Sequence, residues 1–94
     1  MTTIKHLTDA QILEAAATRA GKPAMKESGE CFTVQAVQVY IEGDFARVES
    51  VADIAVYAEE SDALATAARF TERADDSCST LKHMYTVSHR WVEL

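Results

Sequence analysis

The sequence predicts an α+β fold with the order α-β-β-α-β, a three-stranded mainly antiparallel sheet carrying both helices on one face. Three observations carry that expectation. A capped, alanine-rich helix opens the chain, two β-branched and aromatic runs flank Glu42-Gly43-Asp44, and a second alanine-rich helix precedes a last aromatic strand. Ninety-four residues fit a single domain, 1–94, able to bury roughly 60–68% of its unfolded surface. Sixteen residues are alanine, so the helices must pack close and the larger strand residues must supply most of the buried area.

The first helix is marked by Thr8-Asp9-Ala10-Gln11, a capping box in which the Thr hydroxyl and the Gln amide each satisfy one otherwise unpaired backbone N–H. Leu7 and Ile12 are spaced as the hydrophobic staple around it. Ile12, Leu13, Ala16, Ala17 and Ala20 form its apolar face, and Gly21 and Pro23 end it. Residues 22–30 are a polar stretch with Pro23 and Gly29, read as a loop or one short helical turn.

From Cys31 to Ile41 the chain has strand composition with imperfect alternation: Phe32, Val34 and Ala36 share one side, Val37, Val39 and Ile41 the other. Either both faces are covered or a bulge switches sides near Ala36. The return strand, Phe45 to Ala58, alternates cleanly, with Ala46, Val48, Ala52, Ile54 and Val56 opposite Arg47, Glu49, Asp53, Tyr57 and Glu59. One side of it is therefore expected to be wet. Ser61 is placed to cap a second helix through Ala74, whose stripe is Ala63, Ala67, Phe70 and Ala74 with Leu64 and Ala68 beside it. Leu81 onward reads as the last strand, with Tyr85, Val87 and Trp91 opposite Met84, Val92 and Leu94. The first of the three strands is expected in the middle.

Nine Lys and Arg against fifteen Asp and Glu give a formal charge of −6, which repels nucleic acid and anionic lipid and favours basic partners. Met1 to His6 lacks the apolar core of a signal peptide and no run approaches a spanning segment, so a cytoplasmic protein with no membrane contact is expected. Cys31 and Cys78 are in no CxxC pair and fit buried or idle thiols in a reducing compartment, with a single long-range disulfide as the less favoured alternative. A metal site from Cys78, His83, His89, Asp75 and Asp76 meets a geometric objection: His83 and His89 would lie about 20 Å apart on a regular strand at ~3.3 Å per residue. No cofactor is expected. Gly21, Gly29 and Gly43 stand alone, which excludes a glycine-rich phosphate loop, and no nucleophile elbow occurs. Lys82, His83, His89 and Arg90, interleaved with Tyr85 and Trp91, form the one local patch suited to nucleic acid, but they sit in an acidic chain and direct nucleic-acid binding is not expected.

The densest charge feature runs from Glu42 to Asp62, seven acids with one base, Arg47. On a regular strand Glu49, Asp53 and Glu59 would form a row with Tyr57 among them, and this is the expected partner-binding surface. In size, charge and simplicity the chain resembles the small acidic inhibitors encoded by phages and mobile elements, anti-CRISPR and DNA-mimic proteins among them. That resemblance implies a non-catalytic protein that docks on a basic surface of a larger complex. The rival reading is a small enzyme or ligand-binding subunit with a pocket between helices and sheet, near His83 and His89. A third is a homodimer formed across the sheet through Val51 and Tyr57.

Overall fold

A computed structural model describes residues 3–18, 23–74 and 80–93. The elements are β1 (Thr3–Lys5), α1 (Asp9–Thr18), β2 (Glu30–Glu42), β3 (Phe45–Tyr57), α2 (Glu60–Arg73) and β4 (Leu81–Trp91). The class is α+β, as expected, but the sheet has four strands in the order β1-β3-β2-β4. β2 lies between β3 and β4 and is antiparallel to both, which places the long N-terminal strand where the sequence puts it. The added strand, β1, runs parallel to β3 at Ser50–Ala52 and makes the sheet mixed. Three residues are too few for any periodicity to reveal it.

The helices lie on opposite faces of the sheet, which corrects the expectation of one shared face. The register settles this. Cys31 pairs with Arg90 and Thr33 with Val56, so their side chains share one face, and Ile12 of α1 packs there with Cys31, Val56 and Val92. Phe32 pairs with Tyr57 and Val34 with Ala55 on the other face, where Ala63 and Ala67 of α2 cover them. Residues 31–34 are all buried, so the start of β2 is apolar on both sides and each side needs its own helix. Away from that end α2 reaches the sheet through Phe70, which lies on Tyr85, and the molecule extends over 47 × 27 × 18 Å.

At the start of α1 the capping box forms as read: the Thr8 N–H donates to Gln11 Oε1 at 2.9 Å and the Gln11 N–H donates to Thr8 Oγ1 at 3.2 Å. Leu7 packs against the cluster that contains Ile12, completing the staple. Thr8→Ala is expected to cost about 1 kcal/mol, seen in a thermal melt as a Tm lower by about 4–8 °C for a domain of this size. Leu13, placed on the apolar stripe by spacing, is exposed, because only the side of α1 around Ile12 meets the sheet. The helix-ending residues Ala20 and Gly21 fall outside the described residues.

α2 begins two residues earlier than expected. Its N-cap is Glu59, in extended conformation and without a side-chain capping bond, and Ser61 sits inside the first turn. Ala63 and Ala67 are buried as predicted, whereas Leu64 and Ala68 face solvent. Phe70 is partly exposed and stacks on Tyr85, with ring centroids 5.3 Å apart. β2 and β3 are joined by Gly43-Asp44, with Gly43 at φ 60°, the left-handed region a tight hairpin needs at its first central residue. No helix among the described residues is long and apolar enough to cross a membrane.

Candidate functional site

The acidic row expected on β3 does not exist as a surface. The β2–β3 register shifts twice, between Val34 and Gln35 and between Gln38 and Val39, because Ile54 and Glu49 are extra residues on the β3 side. Each such bulge resets which face the following residues occupy. Asp53 therefore pairs with Gln35 on the α1 face, while Tyr57 pairs with Phe32 on the α2 face. Glu49 turns to Arg47, 2.7 Å away, and Glu59 stands at the N-cap position of α2 with its carboxylate 4.0 Å from Lys26 Nζ. The four residues Glu49, Asp53, Tyr57 and Glu59 thus go to four separate environments.

Asp53 is the most consequential of them, since its carboxylate is wholly buried. Oδ2 accepts the Leu7 N–H at 2.8 Å and lies 3.5 Å from Arg90 Nη1 and 3.4 Å from His6 Nδ1. Oδ1 accepts from Gln35 Nε2 at 3.2 Å. Arg90 in turn donates to the Leu7 carbonyl at 2.6 Å and reaches Asp9 Oδ1 at 3.3 Å. One carboxylate thereby ties together β2, β3, β4 and the β1–α1 connection. Charge of this kind is tolerated inside a protein only when paired and hydrogen-bonded, and here both conditions hold.

Above Asp53 lies an open hollow of about 330 Å³ lined by His6, Gln35, Ser88 and Arg90. A carboxylate beside an imidazole is the arrangement that orients a general base. Arg90 is committed to Leu7, Asp9 and Asp53. Its geometry is that of a structural knot. Cys31 is a free buried thiol, and burial pushes its pKa up, away from the thiolate that catalysis would need.

The histidines do not share a site. His83 and His89 project from the same face of β4, as the sequence implies, but His83 hydrogen-bonds Gln38 while His89 stacks on Phe32 at 4.7 Å and meets Glu30 at 3.2 Å. Hydrogen bonding from Lys26 holds the Glu30 carboxyl below its ordinary pKa, and His89 adds to that. No group of three potential metal ligands converges among the described residues; Cys78, Asp75 and Asp76 lie outside them. The register also disperses the basic patch of β4, since Lys82 and Arg90 point to the α1 face and His83, Tyr85, His89 and Trp91 to the other.

Two surfaces remain that alternation could not reveal. The first is apolar. Beyond the polar belt of Gln35 and Asp53 no described residue covers the α1 face, and Ile4, Val51, Val37 and Met84 stand side by side across all four strands. Val39 and Val48 form the next row, with Lys82 beside Val39 on β4, and Ile41 with Ala46 the last, reaching the hairpin turn with Glu42 and Asp44 at its tip. Ile4, Met84, Val48 and Ile41 are exposed. The second lies on the α2 face, where two shallow hollows follow one another along the sheet and collect Lys5, Arg69, Arg73 and His83. No family model, curated protein or solved structure matches this chain.

Proposed function

We propose that the protein is a non-catalytic binding protein that docks, through the uncovered end of its sheet, on a larger protein offering an apolar patch bordered by Lys and Arg. The observation that carries this reading is the contiguous apolar strip from Ile4 and Met84 to Ile41 on the face that α1 leaves bare. Exposed apolar patches of this continuity mark contact sites, and aliphatic and Met side chains supply the buried centre of an interface. Charge complementarity supplies the chemistry of the partner. The strip ends at Glu42 and Asp44 on a chain of net charge −6, so a basic border steers association and an acidic one opposes it.

Blocking a larger machine, the role of small acidic phage-encoded inhibitors, fits docking of this kind. DNA mimicry has less support, because the acids of β3 are dispersed rather than ranked. The docking residues accordingly shift from Glu49, Asp53, Tyr57 and Glu59 to Val48, Met84, Glu42 and Asp44.

The test is affinity capture with purified candidates, followed by binding kinetics of two variants. Val48→Asp with Met84→Glu is expected to weaken binding at least about thirtyfold, the size of a central interface residue's contribution. Glu42→Lys with Asp44→Lys is expected to slow association and flatten its dependence on salt. Binding unchanged by the first pair sinks the proposal. So does a concentration-dependent dimer that the first pair converts to monomer, because the strip would then belong to a second copy of this chain.

A further inference from the structure

We infer that the α2 face holds a binding site for a small planar anion, a ring bearing a carboxylate or phosphate. The two hollows there are neighbours along β3, with no lining residue in common. Ala55, opposite Val34, floors the first, of about 240 Å³, and Ala52 with its partner Ala36 floors the second, of about 230 Å³. Methyl side chains at three neighbouring positions leave a trough where larger residues would fill the space. Tyr85, opposite Ala36, stacks on Phe70 and joins the end of α2 to this trough.

The lining has a charge opposite to that of the chain. Among the described residues three cations border the trough: Arg69 and Arg73 from successive turns of α2, and Lys5 from β1. Among the described residues no acid lines either hollow. Arg73 and Lys5 have no carboxylate partner among the described residues, and Arg69 donates to Thr66 Oγ1 at 3.2 Å, a buried hydroxyl that aims its guanidinium. Guanidinium groups suit carboxylate and phosphate because their planar array of donors can contact two oxygens at once.

The rest of the wall specifies a flat, partly polar ligand. Tyr57 and Phe70 present rings beside Arg69. At the other end the Ser50 hydroxyl donates to Gln38 Oε1 at 2.6 Å, which leaves the Gln38 amide nitrogen to donate to His83 Nε2 at 3.3 Å. That relay fixes three polar side chains in place before any ligand arrives, which lowers the cost of ordering them on binding. Because the trough lies on the face opposite the apolar strip, its test does not depend on the docking proposal.

The experiment is an amide-resolved NMR titration with phenyl phosphate, benzoate and inorganic phosphate. Saturable shifts at Ala52, Ala55 and Tyr57 are expected with the two aromatic anions, and a weaker response with inorganic phosphate. Arg69→Gln with Arg73→Gln should weaken binding about tenfold or more, as loss of charge-assisted hydrogen bonds does. Ala52→Leu keeps every charge but fills the floor, and should abolish saturation; Lys26→Gln, outside the trough, should leave affinity within about twofold. Absence of saturation up to about 10 mM, affinity too weak to be specific, overturns the inference. Inorganic phosphate binding as tightly as phenyl phosphate, or titrations indifferent to both the arginine and Ala52 variants, overturns it as well.

Discussion

Asp53→Ala is expected to lower the unfolding free energy by about 3–5 kcal/mol, the cost of removing one partner from a buried ion pair. Its carboxylate has no exposed surface, and alanine would strand the Leu7 N–H, the Gln35 amide and the Arg90 guanidinium in the space it leaves. Each buried donor left without a partner costs about 1–3 kcal/mol, and water entering from the hollow beside His6 recovers part of that. Asp53→Asn should fall between the two, because it can accept hydrogen bonds but no longer balances Arg90. Urea unfolding followed by circular dichroism measures all three proteins. Against a total stability of about 5–15 kcal/mol for a domain, the alanine variant would be partly unfolded before urea is added. Arg90→Met tests the same knot from the other side, and a double-mutant cycle should show the two changes to be far from additive. A loss below about 1 kcal/mol for Asp53→Ala, the value of a surface pair, would show that the carboxylate is solvated in solution. Reversing the charge of Asp53 therefore reports on folding and says nothing about a docking surface.

The contrast between Asp53 and Thr8 explains which parts of the molecule sequence reasoning reached. The box of Thr8 and Gln11, the turn at Gly43 and the central place of β2 depend on neighbours in the chain or on simple composition, and they appear where the residues put them. Assigning Asp53 to a face depends on counting by twos along β3, and a single bulge invalidates the count. Ile54 and Glu49 are such bulges, and neither is a glycine or proline that would announce one. A signal was nonetheless present. Gln35 interrupts the apolar run of β2 directly opposite Asp53, and a polar pair in cross-strand register inside an apolar region points to a buried bond. The two-sided helix arrangement was legible only as an alternative, since Cys31 to Val34 offers apolar groups to both faces without saying which helix covers which. The basic trough draws Lys5, His83 and Arg69 from three distant segments, so no local pattern could assemble it.

Gly29→Ala is expected to cost about 3 kcal/mol or more. Gly29 has φ 93°, where a residue with a side chain pays about 1–3 kcal/mol in strain alone. A Cβ there would also press into the backbone carbonyl of Val92, well inside van der Waals contact, and a backbone atom cannot swing aside as a side chain can. The contact is close because the Val92 N–H donates to the Gly29 carbonyl at 2.7 Å while the Gly29 N–H donates to Lys26. Those bonds seat Val92 in the cluster with Ile12, Cys31 and Val56 beneath α1. Substitution must therefore either twist the turn or push the end of β4 outward, and the second route uncovers Cys31. Two measurements separate local strain from general damage. Urea unfolding gives the loss of stability, and the rate at which a thiol reagent modifies Cys31 under native conditions should rise by at least the factor of about ten that 1.4 kcal/mol of easier opening represents. D-alanine introduced at the same position by chemical ligation accepts positive φ and directs its methyl group away from the site an L residue would occupy. Recovery of most of the stability with D-alanine would show that the handedness of this one residue, and not the loss of a flexible glycine, holds the end of β4 against the core. Equal damage from both forms would place the cost in crowding around the turn instead.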